Sequence, residues 1–225
     1  MRDIFESELR QIGDGLIEMS RLVETAIYQA GQALLNKDLE IAQKVISGDE
    51  KIDLLEQELD ERCVLLLAQQ APVATDLRTV VTALRISSIL ERMGDLARHI
   101  AQIARGRFPH SPLNETMRIT FSDMDGAAVR LANRITSLLT DRRLDVAASI
   151  ERDDDLLDQL HQDTFTALLS KKWTGEPQET IDLTLLSRYY ERFGDHGVSI
   201  ARRVVYAVTG DFGADTIEAA KNHQP

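Results

Sequence analysis

The chain has 225 residues, with 26 Lys and Arg against 37 Asp and Glu, a formal net charge of −11 and 43% hydrophobic residues. The apolar share can build a core and excludes an intrinsically disordered chain, while the acidic balance argues against nucleic acid, whose phosphates need clustered Lys and Arg. The single cysteine, Cys63, excludes a disulfide framework and a multi-cysteine zinc site.

Met1 to Glu6 lacks the apolar stretch of a signal peptide. The longest apolar run, Cys63 to Ala68, is too short to span a bilayer. A cytoplasmic protein is therefore expected. Gly and Pro number only 12 and 5, and the composition favours helix, so the chain reads as all-α. The first helix is expected from about residue 3 to Leu35, with Ile4, Leu9, Ile12, Leu16, Met19, Val23 and Ile27 at helical spacing. Gly13, Gly15 and Gly31 weaken it locally. Asp38 can cap a second helix over Leu39 to Gln70. Pro72 opens a third, running to about Arg105. Gly106, Pro109, Ser111 and Pro112 form a linker. Three further helices are expected over Leu113 to Leu139, Leu144 to Lys172, and Pro177 to near Gly210.

The second half repeats the first. Glu91-Arg92-Met93-Gly94-Asp95 recurs as Glu191-Arg192-Phe193-Gly194-Asp195, and Ile100-Ala101 as Ile200-Ala201. Leu39, Ala42, Ile52, Asp53 and Leu55 match Leu144, Ala147, Leu157, Asp158 and Leu160. The expected fold is two tandem three-helix bundles related by an internal repeat: 1–107, 108–212, and a polar tail over 213–225.

Four acidic pairs have i,i+4 spacing: Asp49 with Asp53, Glu91 with Asp95, Asp154 with Asp158, and Glu191 with Asp195. Each pair sits on one helix face. The bland reading of any such pair is a solvated surface. Their placement says more. In an antiparallel hairpin centred on Pro72, Asp53 faces Glu91 and Asp49 faces Asp95. In one centred on Thr174 and Gly175, Asp158 faces Glu191 and Asp154 faces Asp195. Both sets lie roughly 27 Å from their turns. Each seam is apolar near the turn, with Cys63 facing Val81 and Phe165 facing Thr184, and acidic further along. His161 is expected to face Arg188.

Four carboxylates this close repel, which raises some of their pKa values and destabilises the fold. Bound cations or basic side chains relieve the repulsion. Arg92 and Arg192 could serve, and hard oxygen donors suit Mg, Ca, Mn or iron. His99 extends the first set on the same face and His196 neighbours the second. An apolar stripe of Ile89, Met93, Leu96, Ile100 and Ile103 lies nearly opposite the acidic face of the third helix and reads as core. Cys63 also reads as core. There is no Gly-rich phosphate loop, no Gly-x-Ser-x-Gly and no His-Glu-x-x-His. Glu-x-x-His, which dimetal oxidases use, is also missing, since Gly94 and Gly194 follow Glu91 and Glu191 by three.

Gln70-Ala71-Pro72-Val73-Ala74-Thr75-Asp76-Leu77-Arg78, the two Glu-Arg-x-Gly-Asp segments and His196 resemble the PhoU family over nearly the whole chain. The resemblance implies a non-enzymatic negative regulator that restrains the phosphate ABC transporter and the sensor histidine kinase of the phosphate regulon when phosphate is ample. It implies the transporter's ATPase subunit and that kinase as partners, a homodimer, and contact with the membrane only through partners. It also implies metal ions (Mg, Mn, Fe or Zn) on Asp49, Asp53, Glu91 and Asp95 and on Asp154, Asp158, Glu191 and Asp195. Ser199 departs from the amide often found four residues after the last Asp. Two other readings are a carboxylate-bridged hydrolase and a metal-free helical scaffold.

Overall fold

The computed structural model describes residues 2–141 and 143–211; the expected tail over 213–225 lies outside them. The described residues form six long helices: α1 (Arg2–Asn36), α2 (Leu39–Gln70), α3 (Ala74–Arg107), α4 (Glu115–Asp141), α5 (Ala147–Leu168) and α6 (Pro177–Thr209). A single 3₁₀ turn, Leu144–Val146, leads into α5. The all-α, two-unit expectation holds.

Local chemistry sets the ends. Asp38 Oδ1 accepts the Ile41 N–H at 2.9 Å, the expected cap of α2. Ala71 takes a left-handed conformation (φ 43°), and its N–H bonds Leu67 O, closing α2 before Pro72. Pro72 therefore lies in the connection, not at the head of α3, which starts two residues later. Asn114 Oδ1 caps α4 through the Met117 N–H. The fifth helix stops four residues short of Lys172. Trp173 explains this: its Nε1 donates to Thr180 Oγ1 at 2.9 Å, which ties the loop back onto α6.

In each unit the three helices pack on one another, and the units join through two antiparallel contacts, α1 on α4 and α3 on α6. The antiparallel sense of the second shows in its ends. Arg78, early in α3, donates to Ala207 O late in α6. Arg107, at the end of α3, pairs with Asp182 near the start of α6. The front layer thus reads α2, α3, α6, α5, with α1 and α4 behind it. Met93, Leu96 and Ile100 of the expected stripe are buried, as are Tyr190, Phe193 and Ile200, and both units contribute to one continuous core. Cys63 is fully buried, and burial pushes its thiol up to about 11. This layout leaves the α2–α3 and α5–α6 grooves on the flanks of the front layer.

Candidate functional site

The two acidic sets do face each other across those grooves. Asp49 feels the charges of Asp53 and Asp95, and Glu91 those of Asp95, Asp53 and Glu56. Asp154 feels Asp158, Asp195, Asp155 and Glu191. The hairpin register holds to within about a residue: His161 Nδ1 lies 3.0 Å from Ser187 Oγ and feels Arg188 through its charge. Arg188 turns along its own helix to Glu191.

The glycines of the two Glu-Arg-x-Gly-Asp segments explain the close approach. A Cβ on Gly194 would overlap Asp154 Oδ1 and come within 3.0 Å of Leu157 Cδ1. A Cβ on Gly94 would lie 2.9 Å from Ile52 Cδ1, the end of a flexible side chain, and 3.4 Å from Asp49 Oδ1. Alanine favours a helix over glycine by roughly 0.5–1 kcal/mol. Gly94→Ala should therefore leave stability almost unchanged. Gly194→Ala should cost about 1 kcal/mol net, because Asp154 or the α5–α6 spacing must shift. Thermal melts of the two variants check this; equal shifts would contradict the geometry.

The two seams are neutralised differently. In the first, Arg98 reaches in from α3: its Nη2 donates to Asp95 Oδ1, and its Nε lies 2.5 Å from Asp49 Oδ2. The Nε contact is a charge pair, since that N–H does not point at an acceptor. Arg92 adds weaker pairs with Glu91 at 3.4 Å and Asp95 at 3.8 Å. In the second seam the residue at the place of Arg98 is Val198, which is buried and apolar. Arg188 bonds Glu191 Oε1, but Glu191 Oε2 and Asp154 Oδ1 are buried atoms without a hydrogen-bond partner. A cleft of about 320 Å³ opens beside Asp154, lined also by Asp195, Val198, Ser199, Arg202 and Arg203.

The histidines face the α3–α6 contact, and His99 Nδ1 and His196 Nε2 are buried there without a hydrogen-bond partner. His99 stacks on Tyr189 of α6 with ring centroids 5.2 Å apart. Burial first, then the Arg98 and Arg192 charges, lower its pKa. His196 is lowered likewise by burial and by Arg192 and Arg92. Among the described residues, no three His, Cys, Asp or Glu side chains converge in a metal-holding arrangement. Sequence reasoning missed Arg98, although its i,i+3 spacing from Asp95 was a usable signal.

Burial, reinforced by neighbouring carboxylates, raises Asp154 to about 7. Burial also raises Asp49 to about 6, against the Arg98 charge. Asp125, between α1 and α4, is raised to about 7 by burial, against the Tyr190 hydrogen bond. An acid whose folded pKa exceeds its unfolded value makes the folded state bind more protons. Its contribution to stability is greatest below the unfolded pKa and is lost as pH rises through the folded one. With chelator present, the melting temperature should fall as pH rises from 5.5 to 8, through the values of about 6 and 7. Asp154→Asn should flatten that slope and melt higher than wild type at the alkaline end. An unchanged slope would contradict the electrostatic picture.

No described helix is long and apolar enough to cross a membrane. The family model of the PhoU domain matches the chain twice, at residues 16–104 and 121–204. The phosphate-specific transport system accessory protein PhoU homolog 2 of Mycobacterium tuberculosis is 42% identical over 212 residues, covering 94% of this chain and all of the relative. The phosphate-specific transport system accessory protein PhoU of Serratia marcescens is 31% identical, covering 95% and 90%. The crystal structure of PhoU from Pseudomonas aeruginosa superposes with a TM-score of 0.81 at 26% identity, covering 92% of this chain and all of that one. The phosphate transport system regulatory protein PhoU of Streptococcus pneumoniae gives 0.81 at 25% identity, covering 93% and 99%.

Proposed function

This chain belongs to the PhoU family, and from that premise we propose that it restrains phosphate uptake when phosphate is plentiful, acting on the transporter's ATPase subunit and on the phosphate-regulon sensor kinase. The observation that carries this reading is similarity along the whole chain, in both repeats, to relatives named as accessory or regulatory proteins of phosphate transport. Those names describe regulators, not enzymes. Action through protein contacts from the cytoplasmic side, by a homodimer, fits a strongly acidic helical surface better than direct phosphate binding does.

The acidic seams enter this reading as candidate metal sites, the second more than the first, whose Asp49 and Asp95 already pair with Arg98. The second seam suits a hard divalent cation better than the first: its donors are carboxylate oxygens, Asp154 Oδ1 and Glu191 Oε2 are buried and unpartnered, and a cleft reaches Asp154 and Asp195, so that an ion would draw together carboxylates that do not converge without it. Asp154, Asp158, Glu191 and Asp195 would hold the ion, which would supply positive charge and tie α5 to α6. The corresponding set in the first repeat is Asp49, Asp53, Glu91 and Asp95.

Complementation tests the regulatory reading. A bacterial strain lacking its own PhoU should show unrestrained phosphate uptake and phosphatase expression in rich phosphate. Supplying this chain should restore restraint on both. Restoration of neither, with the protein present and folded, would refute it. Calorimetry with millimolar phosphate should show negligible heat, and a clear one-site isotherm would favour direct sensing instead.

A further inference from the structure

We infer that Arg98 is a built-in counter-cation that closes the first acidic seam to metal ions, so that the two repeats differ in metal binding despite sharing their carboxylates. The inference rests on the metal reading of the seams but concerns a residue outside the acidic motif.

Three observations carry it. The Arg98 guanidinium occupies the space between the helices, paired at once with Asp49 of α2 and Asp95 of α3. It thus bridges the same two helices that a cation in that seam would bridge. Asp49, the most buried of the four carboxylates in that seam, is the one it contacts from across the groove. The repeat supplies the control: Val198 stands at the equivalent position, and there Asp154 Oδ1 is left buried and unpartnered. A guanidinium and a divalent cation compete for the same carboxylates, because their charges repel and Arg does not deprotonate in proteins. A metal would therefore have to enter the first seam against the Arg98 charge or displace it.

The test is Mn²⁺ titration calorimetry on the full chain, with helical circular dichroism as the folding check. Arg98→Gln removes the charge but keeps an amide that can donate to Asp95. Arg98→Val copies the second repeat. Either folded variant should bind more Mn²⁺ than wild type, doubling the stoichiometry where wild type fills only the second seam. The added binding should vanish when Asp49→Asn and Asp95→Asn are introduced. In the wild-type background Asp49→Asn/Asp95→Asn should leave Mn²⁺ binding unchanged, and this arm decides the matter if neither Arg98 variant folds. No gain in the folded Arg98 variants, or loss of part of the wild-type Mn²⁺ with Asp49→Asn/Asp95→Asn, would overturn the inference. The metal reading of the second seam is decided separately, by Asp154→Asn/Asp195→Asn in wild type. If wild type binds no Mn²⁺, that reading fails, and a gain on removing Arg98 would still support the inference.

Discussion

Arg107→Ala is expected to destabilise the protein by about 3 kcal/mol, the lower end of what removing one partner of a buried ion pair costs. Asp182 is only 6% exposed, and its carboxylate is held by the Arg107 guanidinium and by Gln178 Nε2 at 3.1 Å. Without Arg107 the charge stays buried with one neutral donor. The pair also spans the two repeats, joining the last turn of α3 to the first turns of α6, so its loss loosens the contact that holds the front layer together. For a chain of this size the shift corresponds to roughly 10 °C in Tm. Adding Asp182→Asn should recover most of the loss, because the unpaired charge is then gone. A single variant melting within about 2 °C of wild type would contradict this role.

The second large effect is expected at Gly31→Ala, on the other contact between the repeats. A Cβ at Gly31 of α1 would overlap the whole carboxylate of Asp125 on α4. Asp125 is buried and accepts a long, 3.5 Å hydrogen bond from the Tyr190 hydroxyl. It has no solvent into which to swing, unlike the half-buried Asp154 beside Gly194. Relief must come from separating α1 and α4, at a cost of about 2–3 kcal/mol after the helix-forming gain of alanine. Gly31→Ala/Asp125→Ala should restore much of the lost stability by making room for the methyl group. If the double variant melts no higher than Gly31→Ala alone, the steric account is wrong.

Gly31 also shows where reading the sequence falls short. In the sequence it is a weak point in a helix, and only the partner across the interface reveals that a side chain there cannot fit. The helices themselves were legible, because apolar spacing and the Asp38 cap are local signals. The facing of Asp49 and Asp53 with Asp95 and Glu91 was also legible, since an antiparallel hairpin leaves one register once the turn is placed. The end of α5 was not, because it depends on Trp173 reaching Thr180 of another helix. Nor was the inequality of the seams: the repeat drew attention to the residues that match, whereas Arg98 and Val198 differ. The packing of the two units side by side, α1 on α4 and α3 on α6, likewise has no local signature.

The most direct measurement is native mass spectrometry of protein purified without chelator and equilibrated with Mn²⁺. Wild type should carry bound metal that Asp154→Asn/Asp195→Asn loses, with helicity retained in both. A wild-type chain that stays metal-free, or a variant that keeps the same metal load, would contradict the proposal that the second acidic seam holds a cation.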